Sequence, residues 1–109
     1  MLVEDEEELR ELWKQFLEQH GFRVIAAKNG LDGLHLWAEH QDNIALVVTD
    51  LHMPIMDGAV MVRRIRAIQP DAKVLVVSSD QSISREGAAL LPKPFALNEL
   101  LAKVRLLCA

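Results

Sequence analysis

Short aliphatic runs alternate with amphipathic stretches from one end of the chain to the other. The runs fall at Met1–Val3, Arg23–Ala27, Ile44–Thr49, Lys73–Ser78 and, more weakly, Ala88–Leu91. The third and fourth contain unbroken apolar segments, Ile44–Val48 and Val74–Val77, the pattern of strands that hide both faces under helices. Between the runs, Leu9, Leu12, Trp13, Phe16 and Leu17 recur at helical spacing opposite a charged side, and that stretch stops at Gly21. A second helix is predicted from Leu31 to about His40, entered through Asn29-Gly30, and a third from Gly58 to Gln69, ending before Pro70. Leu97, Leu100, Leu101 and Val104 share one stripe of a last helix. Right-handed crossovers between parallel strands turn this alternation into a doubly wound α/β sandwich. One interval departs from it: Ser79–Glu86 is short and mostly polar, so the helix due there is expected to be stunted or missing.

Composition narrows the class. With 109 residues, 50% hydrophobic and 26% charged, the chain is expected to form one globular domain over 1–109. Twelve basic against sixteen acidic residues leave a net charge of −4, which argues against nucleic acid as a direct partner. A single cysteine, Cys108, rules out a disulfide framework and suits a reducing, cytoplasmic setting. No apolar run approaches the ~20 residues that span a bilayer, and the acidic stretch Glu4–Glu8 is unlike a signal peptide, so no membrane partner is expected.

That acidic stretch acquires a purpose once placed on the strands. Glu4 and Asp5 follow the first strand, Asp50 ends the third, Ser78 ends the fourth and Lys93 follows the fifth. The carboxyl edge of an open parallel sheet is where its ligand crevice lies, so three carboxylates, a hydroxyl and an ammonium converge there. Clustered carboxylates require a cation, and oxygen ligands that leave room for water suit Mg²⁺, with Mn²⁺ able to serve in its place. A carboxylate beside such a metal and a lysine is a competent nucleophile toward phosphorus. The chemistry that fits is formation of an aspartyl phosphate.

The residues Val3-Glu4-Asp5-Glu6, Asp50-Leu51-His52-Met53-Pro54-Ile55-Met56-Asp57-Gly58, Val76-Val77-Ser78-Ser79 and Lys93-Pro94-Phe95 together resemble the receiver domain of two-component response regulators. The resemblance covers nearly the whole chain, in order and on matching elements. It implies a flavodoxin-like five-stranded parallel sheet of order 2-1-3-4-5 with helices on both faces. It also implies that Asp50 accepts phosphate from phosphohistidine on a histidine kinase or phosphotransfer protein. Asp5, Asp50 and the His52 backbone carbonyl would hold the metal, with Glu4 acting mainly through water. Ser78, the Ser79 backbone and Lys93 would bind the phosphoryl group and switch the loops around them, and Pro94 would follow a cis peptide bond. His52 and Asp80 would govern access of hydrolytic water. A homodimer is compatible with this reading, and so is membership in a hybrid sensor kinase.

Blander readings account for the rest. Glu6, Glu7 and Glu8 suit a helix N-terminus. His35 and His40, five apart, do not share a helix face, and His20 sits at a helix end. Trp13 and Phe16 read as core; Met53, Met56 and Met61 as loop and helix packing; Cys108 as having neither partner nor base nearby. Leu90 stands three residues before Lys93, where many receiver domains carry an aromatic, and the chain has no tyrosine. Two rivals follow: a receiver-fold binding module that no longer switches, and an aspartyl-nucleophile phosphatase. Such a phosphatase wants an acid two residues after the nucleophile, where this chain has His52.

Overall fold

The computed structural model describes residues 1–79 and 88–108. The elements are β1 (Leu2–Val3), α1 (Glu7–Gln19), β2 (Ala26–Ala27), α2 (Gly30–His40) with a 3-10 turn at Gln41–Asn43, β3 (Val47–Asp50), α3 (Gly58–Ile68), β4 (Val74–Ser78), β5 (Ala89–Pro92) and α4 (Leu97–Cys108). All pairings are parallel and the sheet runs β2-β1-β3-β4-β5, the flavodoxin-like order the resemblance implied. Four α-helices stand among the described residues. Most of the interval expected to hold a stunted helix, with Asp80 in it, lies outside them.

Strand geometry explains the unbroken apolar runs. Successive side chains of a strand point to opposite faces, so Val47, Val74 and Val76 enter one core while Val48, Leu75 and Val77 enter the other. The first core lies under α2 and α3, with Trp37, Met61, Val62 and Ile65 against Val3 and the sheet. The second lies under α1 and α4, with Trp13, Leu17, Leu100, Leu101 and Val104 against Leu2 and the opposite face. Burying each of these aliphatic side chains stabilises the fold by about 1.5–3 kcal/mol.

Helix ends follow local chemistry. Gly21, at φ +92°, takes the left-handed conformation past the end of α1, and the Phe22 N–H returns to the Leu17 carbonyl at 3.2 Å. Asn29 accepts the Asp32 N–H at 2.8 Å to start α2, and Asp57 accepts the Val60 N–H at 2.9 Å to start α3.

Two expectations change. The run Arg23–Ala27 contributes only Ala26–Ala27 as strand, because a ladder is no longer than its partner and β1 offers two residues, Leu2 opposite Ala26 and Val3 opposite Ala27. Leu12, placed by spacing on the inner stripe of α1, is 48% exposed, so α1 buries the narrower line of Trp13 and Leu17.

Candidate functional site

Register brings the polar groups into one row. Val3 lies opposite Thr49, so Glu4 comes beside Asp50; Asp50 lies opposite Val77, and Ser78 opposite Pro92, the residue before Lys93. Strand order reverses between β1 and β3, the position at which open α/β sheets form their crevice. The structure thus brings together Glu4, Asp5, Asp50, Ser78 and Lys93 at the carboxyl edge.

Contacts in the row are short. The Lys93 ammonium donates to Asp50 Oδ2 at 2.6 Å and to Glu4 Oε1 at 3.3 Å. Asp50 Oδ1 accepts the Leu51 N–H at 2.7 Å and the His52 N–H at 3.3 Å. Glu4, 1% exposed, also accepts the Glu6 N–H through Oε2 at 3.0 Å. Its backbone carbonyl accepts from Arg10 of α1 at 2.9 Å. Oxygens of Glu4, Asp5 and Asp50 lie within 4.8 Å of one another.

Like charges at that spacing repel by about 3–4 kcal/mol per pair at an effective dielectric near 20. Among the described residues one ammonium, that of Lys93, faces these carboxylates, and their all-oxygen donor set suits a hard divalent cation. The electrostatics leave a mark on each partner. Burial pushes the Glu4 carboxyl above the usual range, helped by its acidic neighbours and opposed by the Glu6 N–H and Lys93. Burial works against the Lys93 ammonium, yet the hydrogen bond and charge of Asp50, with Glu4 behind it, outweigh that and raise its pKa.

The β3–α3 loop fixes Asp50 from beneath. The Thr49 hydroxyl, fully buried, donates to the Asp50 carbonyl at 2.7 Å. The Gly58 N–H donates to the Leu51 carbonyl at 2.8 Å, and a Cβ on Gly58 would collide with the Asp50 carbonyl, so only glycine lets α3 start this close. The Met56 N–H reaches the Pro54 carbonyl at 2.8 Å around Ile55 at φ +71°, a three-residue γ-turn with Ile55 76% exposed at its tip.

Each expected residue has a place. Ser78 is buried at the end of β4, and its carbonyl accepts the Lys93 N–H at 2.9 Å. Ser79 is exposed just beyond. The Lys93–Pro94 peptide bond is cis. His52 is exposed next to the row, with its N–H on Asp50. Asp80 lies outside the described residues. Among those residues the acids of the row are the one cluster suited to a metal, and no histidine joins it.

One reading needs correction and two gain detail. Glu4 touches Lys93 directly, at 3.3 Å. Trp13 is core, as expected, and its ring also lies 5.5 Å from the Lys93 ammonium and 5.3 Å from the Phe95 ring. Cys108 does have a base nearby, the Met1 amine, whose charge it favours. Sequence reasoning also missed Thr49; its position directly before Asp50 was the available signal.

The response regulator receiver domain family matches residues 1–105. The chain belongs to this family. Receiver domains are signalling modules of two-component systems rather than classical enzymes. Among curated relatives, the response regulator MprA of Mycobacterium sp. (strain KMS) is 36% identical over 114 aligned positions, taking in 98% of this chain and 49% of the relative. MprA of Mycobacterium leprae (strain TN) is 35% identical over the same shares. The chain spans about half the length of the curated relatives it matches. Among solved structures, the receiver domain of the hybrid histidine kinase CckA superposes with a TM-score of 0.88 at 28% identity, over 99% of this chain and 96% of that one. A receiver domain protein from Clostridium thermocellum gives 0.89 at 26% identity, over 98% and 90%.

Proposed function

We propose that this receiver domain, spanning 1–109, accepts a phosphoryl group on Asp50 from the phosphohistidine of a histidine kinase or phosphotransfer protein, in the cytoplasm. The observation that carries the reading is the Lys93 ammonium held 2.6 Å from Asp50 Oδ2 within a cluster of three acids. Asp5, Asp50 and the His52 carbonyl would hold Mg²⁺ directly, with Glu4 supporting it mainly through water. The ion would supply charge neutralisation of the phosphoryl oxygens.

The chain's own residues do the rest. An Asp50 carboxylate oxygen attacks phosphorus in line; the O–P bond forms, the P–N bond of phosphohistidine breaks, and the departing imidazole takes a proton from solvent. Lys93 exchanges its contact with Asp50 Oδ2 for a phosphoryl oxygen. Ser78 and the Ser79 backbone close on the same group, so the backbone around Ser78 and Lys93 changes state on phosphorylation. His52 and Asp80 govern the approach of hydrolytic water. The MprA likeness, at higher identity than the CckA likeness, favours a response regulator over a hybrid kinase as the setting.

Incubation with acetyl phosphate and Mg²⁺, followed by intact-mass measurement, tests the reading. The expected result is one added phosphoryl group on wild type and none on Asp50→Asn. No addition to wild type, or equal addition to both, overturns it.

A further inference from the structure

We infer that Trp13 is a positioning residue for Lys93: its ring sets where the ammonium stands as Asp50 passes from carboxylate to aspartyl phosphate. This rests on the reading of Asp50 as phosphoacceptor.

The Lys93 Nζ lies 5.5 Å from the Trp13 ring centroid, inside the ~6 Å within which an aromatic face attracts a cation. Trp13 is 4% exposed and fixed in the α1–α4 core, so the ring is a rigid wall. Its ring also meets that of Phe95, at 5.3 Å and a tilt of 38°. Phe95 stands two residues past Lys93, so one α1 side chain grips the β5–α4 turn at both the ammonium and the next ring.

The need for such a wall follows from the chemistry. Before transfer, Lys93 is held by Asp50 Oδ2 at 2.6 Å and Glu4 Oε1 at 3.3 Å. Transfer removes the Asp50 carboxylate as an ionic partner and offers phosphoryl oxygens instead. Glu4 then remains as a competitor that could draw the ammonium off the phosphoryl group. A lysine stem has four flexible carbons and no preferred direction of its own. The aromatic face supplies an attraction that transfer does not alter, leaving the ammonium between Asp50 and the ring. A purely space-filling role requires only apolar volume, which a methionine also provides.

The two roles separate in a pair of variants, Trp13→Phe and Trp13→Met, both apolar and only one aromatic. At saturating Mg²⁺, the rate of Asp50 phosphorylation by acetyl phosphate is expected to fall about tenfold in Trp13→Met and to stay within about threefold of wild type in Trp13→Phe. Equal rates in the two variants overturn the inference. A second measurement needs no substitution at Trp13. In a Trp37→Phe background, where Trp13 is the remaining tryptophan, Lys93→Met is expected to shift the indole emission of the unphosphorylated protein. Unshifted emission also overturns the inference. A wild type that takes no phosphoryl group overturns the reading of Asp50 and the positioning role with it. A wild type that reacts, with Trp13→Met equally fast, overturns the role of Trp13 alone.

Discussion

Lys93 and the Met1 amine are two cations that folding withdraws from water at opposite ends of one sheet, and their pKa values move in opposite directions. At the carboxyl edge, burial disfavours the Lys93 charge, but Asp50 and Glu4 more than offset it and the ammonium is held above its ordinary value. At the amino edge, the Met1 amine donates to the Leu46 carbonyl at 2.7 Å. It borders a cavity of about 590 Å³ lined mainly by apolar side chains such as Leu17, Phe22 and Val104, with Arg23, His40 and Asn43 also on its wall. There burial dominates, the Cys108 thiol offsets it weakly, and the amine drops to about 6. Loss of hydration alone does not decide whether a buried group keeps its charge; the charge it faces does. The same sheet thus holds one cation through the acids it faces and weakens another through burial.

The largest expected effect comes from removing the partner at the charged edge. Lys93→Met leaves carboxylates crowded without their ammonium and should cost about 3 kcal/mol of unfolding free energy without divalent cation, read from urea denaturation. The same substitution should erase an alkaline step. The raised Lys93 pKa contributes stability that is fully present below 10.5 and lost as pH climbs through the folded value. An unchanged urea midpoint would mean that the acids do not depend on this ammonium.

Nearly as large is the expected gain from Mg²⁺. At a hundredfold excess over its dissociation constant, a ligand of the native state alone adds about 2.7 kcal/mol. The melting temperature should rise with Mg²⁺ in wild type and stay flat in Asp5→Asn. A wild-type melting temperature indifferent to Mg²⁺ would break the assignment of the charged edge as a metal site.

The amino edge gives a pH effect of opposite origin. The amine's folded pKa, about 6, lies below its ordinary 8.0, so the native state binds fewer protons between those values. Stability should therefore rise with pH across that window, by about 2–3 kcal/mol at the limit, and acetylating the amine should flatten the rise. Equal urea midpoints at the two ends of the window would remove this half of the comparison.

How much of this was legible beforehand depends on whether a feature is local. Val74–Val77 announced a strand buried on both faces because its neighbours in sequence are enough to say so. Glu4, Asp5, Asp50, Ser78 and Lys93 could be gathered because each stands at the end of a strand, and parallel strands bring such ends to one edge. The extent of β2 was not legible, since it is set by the length of β1. Nor was the exposure of Leu12, which depends on how α1 is rotated over the sheet rather than on spacing along the chain. The contact of Trp13 with Lys93 joins the first helix to the last loop, and no spacing in the chain relates them. Glu4 marks the boundary: its membership in the site was readable, whereas its direct hold on Lys93 required the depth of its burial.

Glu4 also gives the smallest expected effect, because the influences on it oppose one another. Burial raises its pKa with help from Asp5 and Asp50, while the Glu6 N–H and Lys93 lower it. A raised folded value means that the native state binds the proton more tightly than the unfolded chain does. Its contribution to stability is thus fully present below the ordinary 4.5 and is lost as pH rises through the folded value. Glu4→Gln, which cannot ionise, should be free of that decline and match or exceed wild type at neutral pH when no divalent cation is present. Mg²⁺ should reverse the ranking, because it favours the ionised carboxylate that only wild type has. Urea midpoints for both proteins on either side of 4.5, with and without Mg²⁺, decide it. If Glu4→Gln keeps the wild-type decline, the buried acid is not its source.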